Sequence, residues 1–159
     1  MILVTGAAGF IGSNFVHSWL KDCQEVVISY DSLTYAGNLK NLRSLDNNKN
    51  HLFIKGDISD VKKLSKVLLE YKPRAIINFA AESHVDRSIK DPRIFFETNV
   101  MGTYNLLETS CSYWKNLDLD KKNKFRFLHI STDEVFGSLE LGEDSFKETD
   151  QYRPNSPYS

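Results

Sequence analysis

The chain has 159 residues, 41% hydrophobic and 26% charged, with a formal net charge of −1. This length suits one domain with a sizeable core, and the balance is ordinary for a soluble globular fold. No long run of one sign points to nucleic acid or an anionic membrane, and no apolar stretch approaches the roughly 18 residues of a membrane span.

Met1 leads directly into Ile2-Leu3-Val4-Thr5 without a basic n-region, which argues against a secretory signal. These four residues read as a first strand. Gly6-Ala7-Ala8-Gly9-Phe10-Ile11-Gly12 follows as a turn, and Phe15, Val16, Trp19 and Leu20 form a helical stripe. Cys23 stands alone, as does Cys111, with no CxxC pair. Both read as small core residues suited to a reducing cytoplasm. Four scattered histidines form no cluster, so no metal site is expected.

A second strand is expected over Glu25–Tyr30, then a polar surface connection at Asp46–Asn50, then a third strand at Leu52–Lys55. Val61, Leu64, Val67, Leu68 and Tyr71 recur at helical spacing, and Ala75–Phe79 reads as the fourth strand. Phe96, Val100, Tyr104, Leu107, Cys111 and Trp114 mark a longer helix, with its stripe expected in the core. Asp118–Lys124 reads as another surface connection and Phe125–Ser131 as a fifth, buried strand. From Gly137 to Pro157 no periodicity is visible, which predicts a long loop of the kind more often functional than idle. Near-continuous apolar strands alternating with helices predict a doubly wound parallel α/β sheet.

Three patterns carry chemistry. A glycine-rich turn between strand and helix lets backbone approach a ligand, and free N–H groups at the helix start attract a pyrophosphate. The spacing is Gly6-x-x-Gly9-x-x-Gly12, so the dinucleotide fingerprint is met in placement more than in letter. Asp31 follows 19 residues after Gly12. Its carboxylate suits a ribose diol and would repel a 2′-phosphate, favouring NAD over NADP; the alternative is a carboxylate that only caps the turn before Leu33. Asp57, in Gly56-Asp57-Ile58, reads either as an adenine contact or as an ordinary loop aspartate. The third pattern is Ser131-Thr132-Asp133-Glu134-Val135-Phe136-Gly137, with adjacent carboxylates at a strand end. A turn explains it simply, and proton-transfer chemistry is the competing account.

Together, the glycine turn, Asp31, Asp57-Ile58 and Asn78-Phe79-Ala80-Ala81 resemble the extended short-chain dehydrogenase/reductase superfamily, over the whole chain. Ala80-Ala81-Glu82-Ser83-His84-Val85-Asp86-Arg87-Ser88, the stretch Asp31–Asn38 and the paired carboxylates are similar to its 4,6-dehydratase branch, which acts on dTDP-glucose. Related epimerases carry small residues where Asp133 and Glu134 stand. The resemblance implies a Rossmann-type domain holding NAD, a homodimer using the helix around Phe96–Trp114, and a cytoplasmic enzyme. It implies cofactor contacts at Gly6, Gly9, Phe10, Ile11 and Gly12, at Asp31, Ser32, Leu33 and Thr34, and at Asp57 and Ile58. They continue at Phe79, Ala80, Ala81, Glu82, Ser83, Thr98 and Tyr158. Ser83 and Thr132 are implied hexose contacts, and Asn99 is implied to hold the active-site backbone, with a solvated Asn as the alternative.

The implied reaction removes water across C5–C6 of a nucleotide-linked glucose after transient oxidation at C4, because a C4 ketone acidifies the C5 proton. Tyr158 is implied as the O4 base with Thr132 beside it, Asp133 as the acid for the C6 hydroxyl, and Glu134 as the C5 base. Alternate strand residues point to opposite faces, so the backbone is expected to leave strand geometry after Thr132. A tyrosine base near neutrality needs a shift of about 3 pKa units, roughly 4 kcal/mol. The superfamily's YxxxK pattern would supply a Lys four residues after Tyr158, past Ser159. Residues 1–159 are accordingly expected to be the NAD-binding part of a longer enzyme whose substrate domain follows, and to be inactive in isolation. Asn78 and Phe136 depart from the usual His and Tyr. The alternatives are a UDP-glucose 4,6-dehydratase or 4-epimerase, and a non-catalytic dinucleotide-binding module.

Overall fold

The computed structural model describes residues 1–159. Five parallel strands form one sheet in the order β3-β2-β1-β4-β5: β1 (Ile2–Thr5), β2 (Val27–Asp31), β3 (His51–Lys55), β4 (Ala75–Asn78) and β5 (Arg126–His129). The predicted doubly wound sheet is therefore present. β1 lies at its centre, with Ile2 opposite Val27 on one side and Ala75 on the other. Chain order reverses on either side of β1, which opens a crevice at the strands' carboxyl ends.

Alternation along β1 divides the core in two. Ile2 and Val4 face Val16 of α1 (Phe10–Asp22), with Leu42 and Leu45 of a 3₁₀ turn over Leu39–Leu45. Leu3 faces the other layer, with Leu64, Val67 and Leu68 of α2 (Val61–Tyr71) and Leu106 and Tyr113 of α5 (Thr103–Lys115). α2 starts where the Asp60 side chain accepts from Lys63 N at 3.0 Å, and ends at Lys72 with φ 50°.

The segment after β4 forms α3 (Val85–Lys90), one turn of α4 (Arg93–Phe95), a π-helical stretch (Phe96–Gly102) and then α5. Here the predicted core stripe is corrected. Phe96, Val100, Tyr104 and Leu107 are each about half exposed, whereas Leu106, Thr109, Ser110 and Tyr113 face the sheet. Sequence periodicity set the helix but not its rotation, because both faces of this helix carry large side chains. β5 is likewise an exposed edge strand, with Leu128 at 52% exposure. The predicted connection at Asp118–Lys124 is a short helix, α6 (Leu119–Lys124), capped by the Asp118 carboxylate on Lys121 N. Its charged sequence shows no apolar stripe. No helix is long and apolar enough to cross a membrane.

At the other end of the sheet, Glu25 pairs bidentately with Arg74 at 2.6 Å for both bonds and lies 3.0 Å from the Met1 amine. The Arg74 hydrogen bond, reinforced by the amine, lowers the Glu25 pKa from 4.5 to about 2. A depressed carboxylate contributes stability above its unfolded value and loses it as pH falls through the folded one. Urea unfolding of the wild-type protein and Glu25→Gln from pH 5 to pH 2 is expected to show a loss between about 4.5 and 2 that the variant lacks. The difference should be about 1 kcal/mol or less, since Arg74 is half exposed. Parallel pH curves for the two proteins would contradict it.

Candidate functional site

β1 ends at Thr5, and Gly6 turns the chain with φ +64°. An added Cβ at Gly6 would lie 2.6 Å from Ala80 N, so only glycine lets this turn rest on the chain leaving β4. α1 then begins behind Gly9, which offers no side-chain cap. Its first-turn amides are left for another acceptor, which is the arrangement an anionic diphosphate needs.

Asp31, at the end of β2, is 7% exposed. Its Oδ2 accepts from Ala8 N at 2.9 Å and its Oδ1 from Leu33 N at 2.8 Å. The turn-capping alternative is thus real, yet Asp31 also lines the cleft beside the glycine turn. A carboxylate has about four lone-pair positions, so two amides leave room for two hydroxyl donors. Asp57 is exposed and accepts from Ser59 N at 2.8 Å, as a loop aspartate does. Its carbonyl accepts from the Tyr30 hydroxyl at 2.9 Å, and burial raises the pKa of that phenol well above its ordinary value.

These elements enclose a cleft of about 400 Å³ lined by most of the predicted cofactor residues: Gly6, Gly9, Phe10, Ile11 and Gly12; Asp31, Ser32 and Thr34; Asp57 and Ile58; Phe79 through Ser83; Thr98 and Tyr158. Leu33 is the exception, since its side chain packs against the core cluster under β1 and β2. Tyr30, Ala36, Gly37, Gly56, Ile130 and Ser131 also line the cleft and were not singled out as site residues. Gly56 adjoins Asp57 and Gly37 lies three residues past Thr34, and their glycine identity is the available signal. The shape, the uncapped amides and the half-satisfied Asp31 fit a dinucleotide. A larger, open hollow of about 550 Å³ among residues 136–155 holds none of the predicted site residues.

Thr132, Asp133 and Glu134 stand beside the cleft and do not line it. β5 ends at His129, and Asp133–Phe136 forms a 3₁₀ turn for which Thr132 is the N-cap, its hydroxyl accepting from Glu134 N at 3.2 Å. The departure from strand geometry thus comes slightly earlier than expected. Asp133 is exposed and Glu134 half-buried. Glu134 Oε2 accepts from Ser159 Oγ at 3.4 Å, which joins the carboxylate pair to the neighbourhood of Tyr158. Tyr158 itself packs edge-on against Phe95 with centroids 6.5 Å apart.

Behind the cleft, Asn99 in the π-helical stretch clamps the Glu82 peptide from both sides: Oδ1 accepts from Glu82 N and Nδ2 donates to Glu82 O, each at 2.8 Å. The solvated alternative for Asn99 is thereby excluded. Glu82 is buried, and its Oε2 has no hydrogen-bond partner; burial raises its pKa, and Arg87 at 4.0 Å partly opposes that rise.

Residues 3–159 match the family model described as GDP-mannose 4,6 dehydratase. The chain is 55% identical over 158 residues to a dTDP-glucose 4,6-dehydratase of Xanthomonas campestris, covering 99% of this chain and 44% of that protein. It is 47% identical to dTDP-glucose 4,6-dehydratase 1 of Escherichia coli, covering 99% of this chain and 46% of that one. Among solved structures, the Streptomyces venezuelae dTDP-glucose 4,6-dehydratase DesIV with NAD and TYD bound superposes with a TM-score of 0.85 at 44% identity, covering 99% and 46%. A Thermus thermophilus UDP-glucose 4-epimerase complexed with NAD gives 0.82 at 32%, covering 99% and 45%. The chain therefore spans about half the length of the curated relatives it matches. With its five-stranded parallel sheet, its glycine turn and an alignment reaching from residue 3 to residue 159, the chain belongs to the GDP-mannose 4,6 dehydratase family.

Proposed function

We propose that this chain provides the NAD-holding and proton-transferring machinery of a dTDP-glucose 4,6-dehydratase, which converts dTDP-glucose to dTDP-4-dehydro-6-deoxyglucose and water. The observation that carries the reading is the adjacent carboxylates Asp133 and Glu134 on a 3₁₀ turn beside the cleft, linked through Ser159 to Tyr158. Both solved dehydratases and solved epimerases superpose on this fold, so the fold alone does not choose between them. The carboxylate pair favours dehydration.

Residues 6–12 would hold the diphosphate, Asp31 through Thr34 the adenosine ribose, and Asp57 with Ile58 the adenine. Phe79 through Ser83 and Thr98 would border the nicotinamide side. Bound NAD would supply a two-electron sink at C4 and return the same electrons at C6. Tyr158 takes the O4 proton as C4 becomes a ketone, with Thr132 and Ser83 steadying the hexose. Glu134 then removes the acidified C5 proton while Asp133 protonates the C6 hydroxyl. The C6–O bond breaks, water departs, and a C5–C6 double bond remains. Glu134 returns its proton to C5 as C6 is reduced, and solvent carries the Tyr158 proton back to Asp133.

The exposed face of Phe96, Val100, Tyr104 and Leu107 supports pairing with a second copy of the chain.

Three outcomes follow for the complete gene product. Asp133→Asn with Glu134→Gln should still reduce bound NAD, seen by absorbance, while turnover of dTDP-glucose drops by about 10²–10⁴-fold; normal product release would refute the assigned roles, and an epimer would refute the dehydratase reading. Asp31→Ala should weaken NAD binding by on the order of tenfold or more and narrow discrimination against NADP. Equal affinities in both proteins, read by calorimetry, would remove Asp31 from the site. Tyr104→Glu with Leu107→Arg should turn a dimer into a monomer in sedimentation, and an unchanged dimer would discard this face.

A further inference from the structure

The cleft has two lips. One is the chain after β2, where Ser32, Thr34, Ala36 and Gly37 line the cavity; the other is the chain after β4, from Phe79 to Ser83. No hydrogen bond or ion pair joins residues 32–37 to residues 79–90. A cation–π contact does join them. The Arg87 guanidinium, on α3, lies 4.2 Å from the centroid of the Tyr35 ring. Tyr35 stands between the lining residues Thr34 and Ala36 and is half exposed.

The Arg87 end of this bridge has a second contact. Arg87 also reaches the carboxylate of Glu82, at 4.0 Å from Oε2. Glu82 is buried, lines the cleft, and has its peptide clamped by Asn99. Arg87 thus belongs to the lip whose Glu82 peptide Asn99 holds, and lays its planar cation on the outer, loop-borne lip. A lysine could not reproduce that stacking, because its ammonium is a compact, strongly hydrated point charge.

We propose that Tyr35 and Arg87 form a strap that closes over the bound dinucleotide and slows its departure. The proposal rests on the NAD reading above. That chemistry borrows electrons from C4 and returns them to C6 within one turnover, so a dinucleotide lost midway would leave the sugar oxidised and the cycle broken. A strap serves this need without blocking loading. A cation–π contact between half-exposed groups shifts an equilibrium by only about threefold to tenfold, so it opens and reforms readily.

The test is the release rate of NADH from the complete gene product, followed by the loss of bound-NADH fluorescence when excess NAD is added. Tyr35→Ala and Arg87→Gln should each speed release by about threefold to tenfold. Tyr35→Phe, which keeps the ring, should release at the wild-type rate. The double variant Tyr35→Ala/Arg87→Gln should be no faster than the faster single variant, because both remove one contact. Release unchanged in Tyr35→Ala, or additive effects in the double variant, overturns the strap. Faster release in Arg87→Gln alone overturns it too, since Arg87 would then act on the nucleotide without Tyr35. A wild-type protein that binds no NADH overturns the NAD reading and the strap with it, an outcome distinct from NADH binding with insensitive release.

Discussion

The close approach of Gly6 to the Phe79–Ala80 backbone is the contact on which the cleft is built. The turn leaving β1 and the chain leaving β4 share one floor there, and a single added carbon at residue 6 would push them apart. Directly beneath, the Thr5 hydroxyl donates to Asn78 Oδ1, and the Asn78 amide group lies 3.0 Å from His129 Nδ1. This chain of side chains, buried at Thr5 and Asn78 and reaching the surface at His129, ties the carboxyl ends of β1, β4 and β5 together. Since Asn78 Oδ1 already accepts from Thr5 and from Ala80 N, its Nδ2 donates to His129, which sets that imidazole's acceptor nitrogen.

Two buried carboxylates near this floor are treated in opposite ways. Asp31 receives amides on both oxygens, and Ala8, which supplies one of them, is held in turn at its carbonyl by Asn38 N and Asn41 Nδ2. The glycine turn, the Asp31 carboxylate and the segment from Asn38 to Asn41 are thereby set relative to one another. Glu82 has one oxygen with no hydrogen-bond partner and only a distant guanidinium for its charge. Desolvation without hydrogen bonds is costly, and such groups in a cleft mark places where function outweighs stability.

Much of this was legible along the chain. The strands β1 to β4 were readable because apolar runs of four or five residues between glycine and aspartate signals suit buried parallel strands, and their ends fell within two residues of expectation. Asp31, the glycine turn and Phe79–Ser83 were readable as neighbours because each ends or follows a strand, and parallel strands end on the same side of a sheet. Other features were not readable. The Phe96–Trp114 stripe has helical period, yet a helix with large side chains on both faces has two possible inward faces, and packing on α2 chose the one bearing Leu106 and Tyr113. α6 was hidden because charged residues without an apolar stripe form a helix only through a cap, here Asp118.

The sequence by itself determined the alternation of strands and helices, the glycine turn and the presence of adjacent carboxylates, because these depend on local period, backbone freedom and residue chemistry. Only the tertiary structure decided that Leu33 turns into the core, that β5 is an exposed edge, and that Asp133 and Glu134 stand beside the cleft instead of lining it. It alone brought Arg87 onto Tyr35, 52 positions apart in the chain. Such pairings depend on strand order and on the direction in which each loop leaves the sheet, and neither quantity is carried by any short stretch of residues.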